Sequence, residues 1–441
     1  MHIRRLLFIF FAYVAIAFTG SAARAATTLR IATVNNNDMA IMQKLSSEFL
    51  AMNPGIRLEW TTLDENALRR RVTEDADQGA AGFDVITIGS YEAPLWGKKG
   101  LIEPMDDLPP EWNIYDVFPS VANALSSDGK LYAAPFYAEG VMTLYRTDLF
   151  KKWQLSMPGV PDWNFIKFAA KTISENEKDV YGICLRGKPG WGENVALITA
   201  MAHSYGARWF DENWNAKLTA VEWKKALSDY VELLRSYGPP DAASNGFNEN
   251  LALFAKGKCG IWIDATVAGS FVTDANNSYV GEHTGFAPAP MNSDTAKQTN
   301  WLWVWALAVP SSSLKEAAAK KFIAWATSAE YIDLAAKKYG WANVPPGARA
   351  SLYANKEYMR VAPFAETALN AIRSAHPGNP GVNPTPYDGM QYVSVPEFQE
   401  MGNAAGEEFA AALTGKQSVA QALFNAKNIA ERKIKRSAEA R

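Results

Sequence analysis

The sequence predicts an α/β chain folded as two lobes with a cleft between them. Three observations carry this. Strands alternate with helices from residue 29 onward, as in parallel sheets covered on both faces. Polar clusters follow the strands at their carboxyl ends, where such sheets bind ligands. Two extended, proline-punctuated stretches interrupt the alternation where the chain can pass from one lobe to the other. At 441 residues the chain has a length prior of two to three domains and can bury a large core without staples.

The elements follow in order. Met1 to Ala25 has the form of a secretory signal: Arg4 and Arg5, an apolar run from Leu6 to Phe18, and Ala23-Arg24-Ala25 as a cleavage site. The run is shorter than the roughly 20 residues a spanning helix needs, and the first cysteine, Cys184, lies too far away for a lipid anchor. Leu29 to Val34 is a strand, followed by Asn35 to Asp38 and a helix from Met39 to about Met52, with Ile41, Leu45 and Phe49 at helical spacing. Asn53-Pro54-Gly55 stops it. Ile56 to Trp60 is a strand, Glu65 to Asp77 a helix, and Phe83 to Ile88 a strand ending at Gly89-Ser90-Tyr91-Glu92. Leu131 to Arg146 is strand-like around Pro135 and gives the first crossing between lobes. Helices follow at Trp163 to Glu177, Trp191 to Tyr205 and Val221 to Tyr237. Gly285 to Pro290 is the expected crossing back, Trp301 to Pro310 a strand, and Lys315 to Thr327 an amphipathic helix. A third boundary is expected near Tyr339-Gly340-Trp341, and Lys416 to Lys433 is a final helix. There is no fixed-period repeat.

Composition narrows the function. Cleavage after Ala25 takes the 44 basic side chains to 41 against 46 acidic. The net charge of about −5 lacks the basic footprint of nucleic-acid binding. The cysteines, Cys184 and Cys259, sit in strand-like apolar runs; a disulfide and two buried thiols are both open. Four scattered histidines, no His-Glu-x-x-His, no Cys-x-x-Cys and no Gly-x-Ser-x-Gly leave no metal or catalytic signature, so neither a cofactor nor a metal is expected. Fifteen tryptophans, several beside Gly, Asn, Asp and Glu, suit platforms for C–H faces with polar atoms nearby for hydroxyls.

The candidate ligand contacts fall at strand ends. Arg186 and Trp191 stand in the glycine-rich run Arg186 to Asn194, where the backbone can approach a ligand and a guanidinium can meet vicinal hydroxyls. Glu193 shares that loop, with helix capping as its alternative role. Trp301, Trp303 and Trp305 share one strand face; Trp301 and Trp303 are expected on the ligand and Trp305 in the sheet core. Asp264, ending Ile261-Trp262-Ile263, can accept two hydroxyls or cap the next helix. Asn36 and Asn37, Ser90 and Tyr91, Tyr137 and Glu139, and Asn343 complete the set. The charged and amide groups favour an open-chain polyol over a cyclic sugar.

Leu131 to Phe150, closing on Tyr145-Arg146-Thr147-Asp148-Leu149-Phe150, resembles the segment by which extracellular solute-binding proteins of ABC importers enter their second lobe. Phe322 to Ser328 and the helix after Thr414-Gly415-Lys416 are similar to that family too. Gly182 to Asn194, Cys259 to Gly269 and Asn300 to Pro310 resemble its polyol-binding (sorbitol/mannitol) subgroup. The resemblance implies the periplasmic-binding-protein fold: two α/β lobes joined by a multi-stranded hinge, with the ligand clamped between them. The lobes would be 26–136 with 288–340, and 137–287 with 341–441. It also implies a periplasmic, monomeric carrier without catalysis, handing a polyol or related small carbohydrate to ABC permease subunits. The alternatives from other classes are a secreted carbohydrate-active enzyme, with Glu139, Glu193 and Asp264 as its only carboxylates to offer, and a sensor feeding a membrane receptor.

Overall fold

A computed structural model describes residues 26–440. The expected signal segment, Met1 to Ala25, lies outside the described residues. Within them the strands are β1 (Thr27–Val34), β2 (Ile56–Leu63), β3 (Val85–Gly89), β4 (Ser126–Ser127), β5 (Lys130–Leu131), β6 (Ala134–Glu139), β7 (Val141–Arg146), β8 (Tyr181–Cys184), β9 (Cys259–Ala265), β10 (Thr284–Pro288) and β11 (Trp303–Ala308). They form two main sheets, ordered β2-β1-β3-β11-β6 and β10-β7-β9-β8, with β4 and β5 as a small hairpin.

In the first sheet β1 runs parallel to both β2 and β3, as the strand–helix alternation predicts. β11 runs antiparallel to β3 and β6, because it re-enters this sheet from the other lobe instead of through a crossover helix. Leu29, Ile31, Ala32, Val85, Ile86 and Ile88 are buried, as strands covered on both faces require. The helix after β1 starts at Asn37, two residues earlier than the apolar spacing suggests. Its cap is Asn36, whose Oδ1 accepts from the Met39 backbone N–H at 2.9 Å.

One residue, Gly140, separates β6 in the first sheet from β7 in the second. A side chain there would meet the Ala371 methyl at 2.7 Å, and its N–H donates to Thr266 Oγ1. The next N–H, of Val141, donates to Asn300 Oδ1 at 3.0 Å, and Asn300 belongs to the return passage. The two passages are thus tied side by side. Gly285 to Pro290, expected to be that return passage, is instead mostly β10. As the edge strand of the second sheet it tolerates Pro288, whose missing N–H breaks no inner ladder; the passage follows at residues 289–302. Gly340 ends the helix Ala329–Tyr339 at φ 89°, and beyond it Arg349 still pairs with Val117 and bonds Asp116 and Trp112 of the first lobe, so the chain does not leave that lobe at Gly340 as expected.

Cys184 and Cys259 form a disulfide, with Cα atoms 5.9 Å apart, between the neighbouring parallel strands β8 and β9. The alternative of two free thiols is excluded. The helices Phe398–Leu413 and Val419–Ala440 pack on one another and on Val221–Tyr237.

Candidate functional site

A cleft of about 780 Å³, counted to its mouth, lies between the lobes. The first lobe contributes the ends of β1 and β6 and one face of the helix Glu65–Asp77. The second contributes the loop after β8 and the start of the helix Phe247–Ala255. The passage into β11 brings Trp301, Trp303 and Trp305. Indoles at every second residue share a face, so all three line the cavity; Trp305, expected in the sheet core, is there too. Trp303 lies over Gly89, where any side chain would come within 1.9 Å of the ring.

Two arginines anchor the walls. Arg186 donates Nε and Nη2 to Asp264, the latter at 2.7 Å, and Nη1 to the Gly192 carbonyl at 2.8 Å. Burial alone would weaken its hold on its proton, but the Asp264 charge and hydrogen bonds outweigh that, so it stays charged. Asp264 is fully buried beneath it and also accepts from Trp262 Nε1 at 3.1 Å and from the Ala265 N–H. With its oxygens so engaged, Asp264 neither faces the cavity nor caps a helix. Arg69 donates to Glu65 at 2.9 Å and to Glu92 at 2.7 Å. Its guanidinium stacks 3.9 Å from the centre of the Trp191 ring, 4.6 Å from Trp303 and 5.0 Å from Trp305.

Glu139 faces this cavity at the end of β6, opposite Trp303 in the ladder. Burial pushes its carboxyl well above the usual range, and Arg186 pulls it part of the way back. Glu193 is pushed up to about 8, by burial first and the Glu65 charge second, against Arg186 and Lys188. It precedes the helix Asn194–Ser204 but makes no side-chain cap bond. Tyr137 also faces the cavity, and its hydroxyl accepts from Asn36 Nδ2 at 3.0 Å. Four buried polar atoms on lining residues have no hydrogen-bond partner in the protein: Trp191 Nε1, Trp301 Nε1, Glu193 Oε2 and Gln391 Oε1. Such atoms are costly to bury unless something else satisfies them.

Of the sequence-predicted residues, the structure brings Asn36, Tyr137, Glu139, Arg186, Trp191, Glu193, Trp301 and Trp303 together on the cavity. It places the others off it. Asn37 is the first residue of its helix and does not line the cavity, as its neighbours Asn35 and Asn36 do. Ser90 is buried behind the wall, its carbonyl accepting from Tyr392 Oη at 3.1 Å. Tyr91 backs Trp191 at 4.9 Å between ring centres and donates its hydroxyl to the Val395 carbonyl. Asn343 sits in a short turn, its Nδ2 donating to the Tyr339 carbonyl at 2.9 Å. Sequence reasoning missed Glu65, Arg69 and Gln391. For the first two a signal existed: Glu65 and Arg69 fall on the same helix face as the buried Leu68 and Val72.

The lobes touch across the cleft. Asn66 Nδ2 donates to the Pro189 carbonyl at 3.1 Å, and Asn248 Nδ2 to the Asn35 carbonyl at 3.2 Å. The glycines of the second lobe's loop allow this approach: a Cβ on Gly190 would lie 2.7 Å from Asn66 Oδ1, and one on Gly192 2.1 Å from Glu65 Oε1. Among the described residues no group of three or more His, Cys, Asp or Glu side chains is placed to hold a metal ion.

Two α/β lobes crossed by adjacent passages, clasping a polar, tryptophan-walled cavity, define a two-lobed ligand-capture protein. Residues 33–333 match the model of the bacterial extracellular solute-binding proteins, and the chain belongs to that family. It is 52% identical over 415 residues to the mannitol-binding protein of Pseudomonas aeruginosa, covering 94% of this chain and 95% of that one. A crystal structure of an ABC transporter solute-binding protein from Agrobacterium vitis with bound D-mannitol superposes with a TM-score of 0.92 at 56% identity, covering 93% of this chain and 99% of that one. A ribitol complex from Agrobacterium radiobacter, 22% identical with a TM-score of 0.82 over 93% and 99% of the two chains, shares the fold. No helix among the described residues is long and apolar enough to cross a membrane.

Proposed function

We propose that the cleft captures an open-chain sugar alcohol of pentitol or hexitol size, mannitol- or sorbitol-like, in the periplasm, and presents it to an ABC permease. The observation that carries this is the set of four unpartnered polar atoms. Two indole donors, a carboxyl oxygen and an amide oxygen, spread round one cavity, suit a chain with a hydroxyl on each carbon. The unbonded N–H groups of Arg186 and the hydroxyl of Tyr137 extend the same pattern. The mannitol-binding relative and the mannitol complex support it. We divide the lobes at Gly140 and at 289–302, following the sheets, with a third boundary beyond Arg349, which still bonds Asp116 and Trp112 of the first lobe.

The protein works by binding alone. Of the three carboxylates an enzyme could have used, Asp264 is committed to Arg186. Ligand favours the closed form through contacts that need both lobes.

Calorimetric titration with mannitol, sorbitol, arabitol and glucose tests this. One site per chain is expected, with a dissociation constant of about 1 µM or tighter for a polyol and weaker binding of glucose. Heat from no polyol sinks the proposal, and so does mannitol recovered chemically altered after incubation with the protein.

A further inference from the structure

The charges that line the cavity are unbalanced, and the imbalance is local. Asp64, Glu65, Glu139, Glu193 and Glu249 face it against Arg69, Arg186 and Lys188. Both arginines are already matched, Arg186 by Asp264 and Arg69 by Glu65 and Glu92. Glu193 has Arg186 at 3.7 Å and Lys188 at 4.0 Å, but its buried Oε2 accepts no hydrogen bond. Among the charges acting most on Glu139 the sole cation is that same Arg186, and the others, Asp264, Glu65 and Asp38, are acidic. A positive group is therefore what this part of the cavity lacks.

We propose that the site also takes cationic polyols, open-chain amino-alditols with a terminal ammonium seated between Glu139 and Glu193, and rejects the aldonate of the same length. This rests on the polyol reading of the cleft. An ammonium has three donors and no acceptor, so it can meet both carboxyls and a third oxygen. A carboxylate in its place would meet acidic groups, and Arg186 and Arg69 are each already paired with a carboxylate.

The two ligand types differ in their proton balance. The groups facing Glu193 are Glu65 from the helix Glu65–Asp77, Arg186 and Lys188 from the loop after β8, and Asp264 from β9. Those facing Glu139 are Arg186, Asp264, Glu65, Asp38 from the helix Asn37–Met52, and Tyr137 on its own strand. Burial raises both carboxyls, Glu193 to about 8, so near neutrality Glu193 holds its proton and can donate it to a hydroxyl of a neutral polyol. An ammonium replaces such a proton, which leaves to solvent as the cation seats. Its affinity relative to mannitol must then rise with pH until the amine loses its own charge.

The experiment titrates the unaltered full chain with D-mannitol, 1-amino-1-deoxy-D-mannitol and D-mannonate at about pH 6 and about pH 8.5. The expected result is binding of the amino-alditol at both pH values, with its affinity relative to mannitol about tenfold or more higher at the upper one. Mannonate should bind at least about a hundredfold more weakly than mannitol. Glu193→Gln and Glu139→Gln, singly, should reduce the pH dependence of the ratio. Mannitol binding with the amino-alditol about a hundredfold weaker at both pH values overturns this inference alone. A ratio that does not change with pH overturns it as well, in a comparison that needs no variant. Failure of every polyol to bind overturns the polyol reading and takes this inference with it.

Discussion

Arg186 and Arg69 look alike and do different work. Each is almost fully buried, each is hydrogen-bonded to carboxylates, and each approaches tryptophan rings at the same cavity. The surroundings of Arg186 come mainly from its own lobe: Asp264 on β9, the Gly192 carbonyl, and Tyr230, whose hydroxyl donates to the Arg186 carbonyl at 2.7 Å. Arg69 has its carboxylates in the first lobe, but the nearest ring stacked on it, Trp191, comes from the second. A charge buried by its own lobe contributes to folding. A charge covered by the opposite lobe contributes to the equilibrium between open and closed forms, and ligand acts on that equilibrium.

The sharpest way to break this comparison is Arg186→Met. It leaves Asp264 buried without its charge partner, and removing one member of a buried pair costs about 3–5 kcal/mol. Urea unfolding of the ligand-free variant should show that loss, and polyol binding should vanish. A variant within about 1 kcal/mol of the parent would make the pair a ligand device and not a structural one.

Trp191→Leu tests the other half. It removes the ring over Arg69, and the contact of that ring with Tyr91, while keeping every ion pair. We expect polyol affinity to fall by about 2 kcal/mol, roughly thirtyfold, with a smaller change in the unfolding free energy of the ligand-free protein. Equal losses in both measurements would put Trp191 in the fold and not in closure.

The same division explains what the sequence disclosed. Residues that carry local signatures were legible: β1, β2 and β3 with the helices between them, the helices Trp163–Asn176 and Val221–Tyr237, the indoles at every second residue of Trp301 to Trp305, and the glycine run from Gly187 to Gly192. Arg69 was not. It stands in Arg69-Arg70-Arg71, which reads as a solvated helix face, and only Leu68 and Val72 beside it mark the inward side. Gln391 lies in a stretch without periodicity, held by its Nε2 bond to the Leu302 carbonyl. Asp264 was recognised as important, but sequence could not distinguish a carboxylate that meets ligand from one that holds the arginine. That distinction depends on Arg186, 78 residues away in the chain. Hydrophobic periodicity records what each lobe buries against itself; contacts made only when lobes meet leave little trace in it.

The smallest effect should come from the contacts that exist only between lobes. Asn66 was not legible as a site residue, yet its Nδ2 bonds the Pro189 carbonyl at 3.1 Å beside Gly190. Asn66→Ala removes one neutral hydrogen bond, worth about 1 kcal/mol, so polyol affinity should fall roughly fivefold. Asn248→Ala removes an exposed counterpart to the Asn35 carbonyl and should cost less, because water competes there. Both bonds span the cleft, so if the lobes part without ligand neither substitution should move the melting temperature of the ligand-free protein. The loss should appear in a faster ligand off-rate with little change in on-rate. If either substitution lowers the ligand-free melting temperature as much as it weakens binding, the lobes are joined before ligand arrives. Closure would then be no separate step, and the distinction between Arg186 and Arg69 would lose its physical basis.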